Sequence, residues 1–170
     1  MIRSKIERLQ EARMNARLSL ELGLATKRGS KIARAESKAL LEAALKTNTC
    51  QACNGPLLLP ARVTTGYYCR SCQARFDRML NFKSKLSRGI PMNRALERFI
   101  ADYSATEHLP YPLRGVASRQ NIIRHATELL ELNKEIDKQL RDAIAWRNSH
   151  AGLQEEEVSE DANRNEEETM

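Results

Sequence analysis

Two CxxC pairs constrain this chain more than any other feature: Cys50-Gln51-Ala52-Cys53 and Cys69-Arg70-Ser71-Cys72, with 15 residues between them. They use all four cysteines of the 170-residue chain. A CxxC turn lets two thiolates converge on one ion, and two such turns complete a tetrahedral four-sulfur site. The spacing falls in the range of structural zinc sites. Zn²⁺ suits the site best, because it is redox-inert and accepts four thiolates in a closed shell. An iron–sulfur centre is the alternative that four thiolates also allow. A thioredoxin-type redox motif needs one CxxC in a βαβ setting, which this sequence lacks. Disulfides do not fit a chain whose first residues, charged throughout, lack the apolar stretch of a secretory signal. A closed shell leaves no position for water, so the metal is expected to be structural.

Helical periodicity surrounds the cysteines. Residues 2–24 space Ile2, Ile6, Leu9, Ala16 and Leu20 at three- and four-residue steps, with Arg13 interrupting the seam. Ala25 to Ser30 reads as a turn, with Gly29 as the stop and Ser30 as the N-cap of a second helix over 31–46. Two helices joined so closely are expected to pack as an antiparallel hairpin. Gly55, Pro56, Pro60 and Gly66 then break the pattern, and Leu57-Leu58-Leu59 with residues 63–68 predict a small β-hairpin. Helical spacing returns at Phe76, Met79, Leu80, Phe82 and Leu86 and stops at Gly89 and Pro91. A shorter helix carries Leu96, Phe99, Ile100 and Tyr103. Residues 105–116 read as a loop. The last helix, about 118–147, presents Ile122, Ala126, Leu129, Ile136, Leu140 and Ala143, interrupted by Asn133. That stripe fits a core helix or a coiled-coil seam.

The expected fold is therefore mainly α: a helical hairpin and C-terminal helices around a small Cys₄ zinc-binding β-hairpin module. Four segments follow: a hairpin over 1–46, a zinc finger with its following basic helix over 47–89, a C-terminal helical segment over 90–153, and a disordered acidic tail over 154–170. No run approaches the roughly 18 apolar residues that span a bilayer, so no membrane association is expected, and the chain reads as intracellular, in the cytoplasm.

Charge divides along the same lines. The tail holds eight acids and one base, which leaves 27 bases and 14 acids in residues 1–153, a net of +13 beneath the overall +6. Residues 47–76 carry Arg62, Arg70 and Arg75 and no acid. These arginines are placed to offset the −2 of four thiolates and one Zn²⁺. A field of this sign favours an anionic partner, nucleic acid among them. The acidic tail reads as a solubilising end or as a polyanion mimic that competes for the basic body.

The two knuckles differ. Asn54-Gly55-Pro56 after the first is a turn leading to a strand. Gln73 to Leu80 after the second has no glycine and good helix formers, so the second pair opens a helix. Knuckle, hairpin and knuckle at a helix start resemble treble-clef zinc fingers such as the GATA type, over about Thr49 to Leu86. Zinc ribbons have similar spacing but end in a strand. An N-terminal helical hairpin before a Cys₄ finger and a helix, with Gln73 after Cys72, also resembles the DksA/TraR family of RNA-polymerase-binding proteins. In that family the hairpin tip is acidic. Here Ala25-Thr26-Lys27-Arg28-Gly29-Ser30 is basic, and a long helical segment follows the finger, so no functional residue carries over.

Function is expected to be nucleic-acid binding, DNA or RNA, in a regulator of transcription or replication. The contacts are assigned to Arg62, Arg70, Arg75, Arg78, Lys83, Lys85 and Arg88, with Arg75, Arg78 and Lys85 close together in helical projection. A solvated basic face on a packing helix would look the same. The alternative is a zinc-braced helical adaptor for RNA polymerase or another protein, with homo-oligomerisation possible through the last helix. An enzyme is not expected. Nucleases with paired knuckles need a histidine beside a catalytic metal, and His108, His125 and His150 all lie outside the finger.

Overall fold

The computed structural model describes residues 4–26, 29–59, 61 and 66–167, with side chains through residue 151. Among the described residues five α-helices are bounded: α1 (Lys5–Leu24), α2 (Ser30–Thr47), α3 (Arg70–Arg88), α4 (Asn93–Ala105) and α5 (Arg119–Glu167), with a short 3₁₀ turn at Tyr111–Leu113.

Local chemistry sets the helix ends. Ser4 opens α1 with a reciprocal capping box: its Oγ accepts from the Glu7 N–H at 3.2 Å, while Glu7 Oε2 accepts from the Ser4 N–H at 2.9 Å. Gly29, not Ser30, is the N-cap of α2. Asn48 ends that helix in the left-handed region, φ 51°, which asparagine tolerates. Cys69 is the N-cap of α3, so the second knuckle runs into a helix as its composition predicts.

Packing departs from the expected N-terminal hairpin. The apolar seam of α1 (Ala16, Leu20, Leu24) is buried along α5 rather than against α2. The two run antiparallel: Lys5 Nζ lies 3.5 Å from Glu135 Oε1, and the Ala117 N–H donates to the Gly23 carbonyl at 3.2 Å. The reason is side-chain volume. The α2 stripe is mostly alanine and buries only Ala44 fully, whereas α5 offers Ile122, Leu129 and Ile136. Instead α2 leans on the finger and the 3₁₀ turn, where Ser37 and Tyr67 hydroxyls meet at 3.2 Å and Arg114 pairs with Glu36.

α3 and α4 form the true helical hairpin. Phe82 and Phe99 stack across it with ring centroids 4.1 Å apart, and Arg78 pairs with Asp102 near its open end. Buried residues from 1–46, 47–89 and 90–153 join one core. Two arginines tie it together by capping helix C-termini, where unpaired carbonyls collect partial negative charge. Arg17 of α1 donates to the carbonyls of Leu86, Ser87 and Gly89 at 3.0–3.2 Å. Arg119 donates to the carbonyls of Tyr103, Ser104 and Thr106 at the end of α4.

Among the described residues no strand forms, so the expected β-hairpin is not seen; the segment after the first knuckle makes one antiparallel bridge, Thr49 to Pro56. Proline at 56 and at 60 removes ladder donors. Leu57 turns inward while Leu58 and Leu59 face solvent; residues 63–65 lie outside the described set. The last helix also exceeds its expected 118–147 span. It continues through Glu167, across residues expected as a disordered tail. Beyond Gly152 no glycine or proline stops it, and glutamate is a good helix former. Its apolar stripe leaves the body after Ile136: every residue from 140 to 151 is exposed.

Candidate metal centre and basic helices

The fold draws the four cysteines into one cluster. Their Sγ atoms all lie within 4.8 Å of one another, and Cys53 and Cys69 are 3.8 Å apart. A disulfide needs about 2.05 Å. A tetrahedron with Zn–S bonds of about 2.3 Å has sulfur–sulfur edges of about 3.8 Å. The Cys53–Cys69 separation matches that edge, and the four thiols together could hold a metal ion, zinc best by their chemistry. It is the one group of three or more metal-ligating side chains among the described residues.

Backbone hydrogen bonds shape each half. In the first knuckle, the Cys50 N–H donates to the Gly55 carbonyl at 2.7 Å and the Asn54 N–H to the Cys50 carbonyl at 2.9 Å. Asn54 closes the turn in the left-handed region, φ 59°. The Ala52 N–H points at Cys50 Sγ, 3.4 Å away. The halves are stitched by the Gln51 N–H, which donates to the Tyr67 carbonyl at 2.8 Å. In the second half, Cys69 and Cys72 sit at the start of α3, where the helix dipole favours thiolate. Tyr68 packs edge-on against Phe76 at 4.8 Å and Tyr67 edge-on against Tyr68 at 4.6 Å, so both tyrosines brace the finger.

Cys50 and Cys72 are buried, Cys69 partly so, and Cys53 faces solvent. Burial pushes the Cys50 thiol up, but the amides of Cys69, Ala52 and Cys53 outweigh it and bring it down to about 7. Burial and the neighbouring sulfurs push Cys72 well above the usual thiol range. One ionised sulfur thus suppresses ionisation of another, and a cation is what allows all four to be thiolates together.

The predicted nucleic-acid contacts separate into three groups. Arg78 donates through Nε and Nη2 to both oxygens of Asp102, each at 2.9 Å, and Arg75 Nε lies 3.7 Å from the same carboxylate. Arg75 therefore has an ion-pair partner in Asp102. Lys83 is partly buried, with its pKa lowered by that burial, and donates to the Pro112 carbonyl at 3.1 Å. Arg70, Lys85 and Arg88 are exposed. Arg62 lies outside the described residues. The three histidines are scattered: His108 in an exposed loop, His125 on α5 with Nδ1 3.8 Å from Glu128, and His150 stacked on Trp146.

A second basic surface extends beyond the predicted contacts. Between α3 and α4 lies a groove of about 450 Å³ lined by Arg78, Asn81, Phe82, Lys85, Met92, Arg94, Ala95, Arg98, Phe99 and Asp102. Arg94 and Arg98 stand one turn apart on α4, a spacing visible in sequence. Their approach to Lys85 is tertiary.

No family model matches the chain, and comparisons with curated proteins and with solved structures return no significant match. The likeness in layout to DksA/TraR is not backed by a family match, and the packed N-terminal hairpin on which it rests does not form. No helix among the described residues is long and apolar enough to cross a membrane.

Proposed function

We propose that this chain is a zinc-braced nucleic-acid-binding protein, a regulator of transcription or replication that works inside the cell. The observation that carries the proposal is the thiol cluster at the start of α3. It anchors the helix whose exposed side carries Arg70, Lys85 and Arg88, with the exposed Arg94 and Arg98 on the neighbouring α4. Zinc there supplies a closed tetrahedral shell and no reactive position. The second knuckle opening into a helix supports a treble-clef finger over a ribbon. Arg70, Lys85 and Arg88 remain the contacts proposed on α3; Arg75, Arg78 and Lys83 are held in internal pairs. No catalytic role is proposed.

Retardation of DNA and RNA, measured as salt is raised, tests this reading. Affinity is expected to fall steeply with added salt, because each phosphate neutralised releases a counterion. Micromolar protein that retards neither nucleic acid at about 50 mM salt contradicts it.

A second reading, the adaptor, is favoured by α5 beyond the body. Leu140, Ile144 and Trp146 are exposed there on a projecting helix, and such a surface suits RNA polymerase, another protein or a second copy. Pull-down with nuclease treatment separates the two: a nuclease-resistant partner supports the adaptor.

A further inference from the structure

We infer that the groove between α3 and α4 seats single-stranded nucleic acid, its phosphates on Lys85, Arg94 and Arg98 and a base against Met92. The inference rests on the nucleic-acid reading above and assigns it a place. Two ridges face each other across the groove. On α3, Arg78 and Lys85 are two helical turns apart; on α4, Arg94 and Arg98 are one turn apart. Among the described residues Asp102 is the only carboxylate on the lining, and it is taken by the two-point pair with Arg78. Lys85, Arg94 and Arg98 form no ion pair among the described residues, so three cations converge without an internal counter-charge.

The floor is apolar. Phe82 and Phe99 close it from below, and Met92 stands 80% exposed at its edge. Bare phosphate would need only the cations, and a carboxylate-rich peptide would leave Met92 uncovered. A nucleotide has both an anionic backbone and a flat base that covers apolar surface. Arginine also stacks its guanidinium plane on bases. Size argues for one strand. A cleft of about 450 Å³ between two packed helices admits a splayed nucleotide, whereas a duplex touches only the rims. The α3 wall of the cleft is held in advance by Arg17, which donates to three carbonyls at the end of that helix.

The test is fluorescence anisotropy with the full zinc-loaded chain, using labelled oligothymidylate of about 15 nucleotides and a duplex of equal length. Arg94→Glu with Arg98→Glu is expected to weaken single-strand binding at least about tenfold. Met92→Ala is expected to weaken single-strand binding severalfold and leave the duplex unchanged. Lys31→Glu with Lys38→Glu, the same charge change on exposed α2 positions, is expected to cost less than about threefold. Thermal melts of each variant establish that it folds. If the wild type binds nucleic acid and the Arg94/Arg98 variant binds equally well, the groove assignment fails while the broader reading stands. A groove-dependent preference for duplex overturns the single-strand assignment. A wild type that binds no nucleic acid, or that binds polyglutamate alone through these arginines, removes both.

Discussion

Arg78 and Asp102 lock α3 to α4 by two parallel hydrogen bonds of 2.9 Å, and Arg75 approaches the same carboxylate at 3.7 Å. One buried-edge acid thereby withdraws two guanidinium groups from the basic surface. Asp102→Asn is expected to move stability and binding in opposite directions. The denaturant midpoint should fall, because the pair that fixes the hairpin is lost. Nucleic-acid affinity at low salt should rise about three- to tenfold, and the salt dependence should steepen by about one to two units, as both arginines become available. Urea melts and anisotropy titrations on one preparation read the two effects together.

Arg17 carries a different load. Its guanidinium meets three carbonyls at the end of α3 while only 14% exposed. Arg17→Ala leaves those carbonyls without their charged donor and is expected to cost about 1.5–3 kcal/mol. Arg17→Lys should recover less than half, because an ammonium cannot reproduce the planar fork. Chemical denaturation measures both.

Gly115 sits where the loop before α5 presses on the end of α1. A Cβ there would lie 2.1 Å from the Gly23 carbonyl oxygen. Gly115→Ala is expected to destabilise by about 1–3 kcal/mol by forcing the two segments apart. Gly89→Ala is the control: a Cβ at that position meets nothing within 4 Å and its φ of 170° suits any residue. Its melting temperature should match the wild type.

Zinc affinity should depend on pH. In the metal-free cluster the Cys50 thiol lies below its ordinary value, at about 7, and the Cys72 thiol above it. The metal requires all four as thiolates and releases protons when it binds. Apparent affinity should therefore rise with pH, and should fall more steeply below about pH 7, where Cys50 also becomes protonated. Competition against a chromogenic chelator across that range reads the slope; a pH-independent affinity contradicts the four-thiolate shell.

Local chemistry was legible and long-range choice was not. The CxxC spacing forecasts the thiol cluster, and the glycine-free Gln73–Leu80 stretch forecasts a helix from the second knuckle, because both depend on neighbours in sequence. The α1–α2 hairpin failed because sequence proximity says nothing about which apolar face is larger; α1 chose the leucine and isoleucine stripe of α5. Asn133, read as a flaw in that stripe, is buried and donates to the Pro91 carbonyl at 3.2 Å, pinning the α3–α4 connection. The basic face on α3 was half right. Projection groups Arg75, Arg78 and Lys85, but only the packing of α4 reveals that Asp102 claims the first two and that Arg94 and Arg98 join the third.

The most direct test of the account is zinc quantitation on the native 170-residue chain by mass spectrometry, paired with circular dichroism before and after a strong chelator. The account predicts one zinc ion per chain, with chelation lowering the melting temperature and loosening the finger and the start of α3. A chain that carries no metal and keeps the same spectrum and melting temperature in chelator would contradict it.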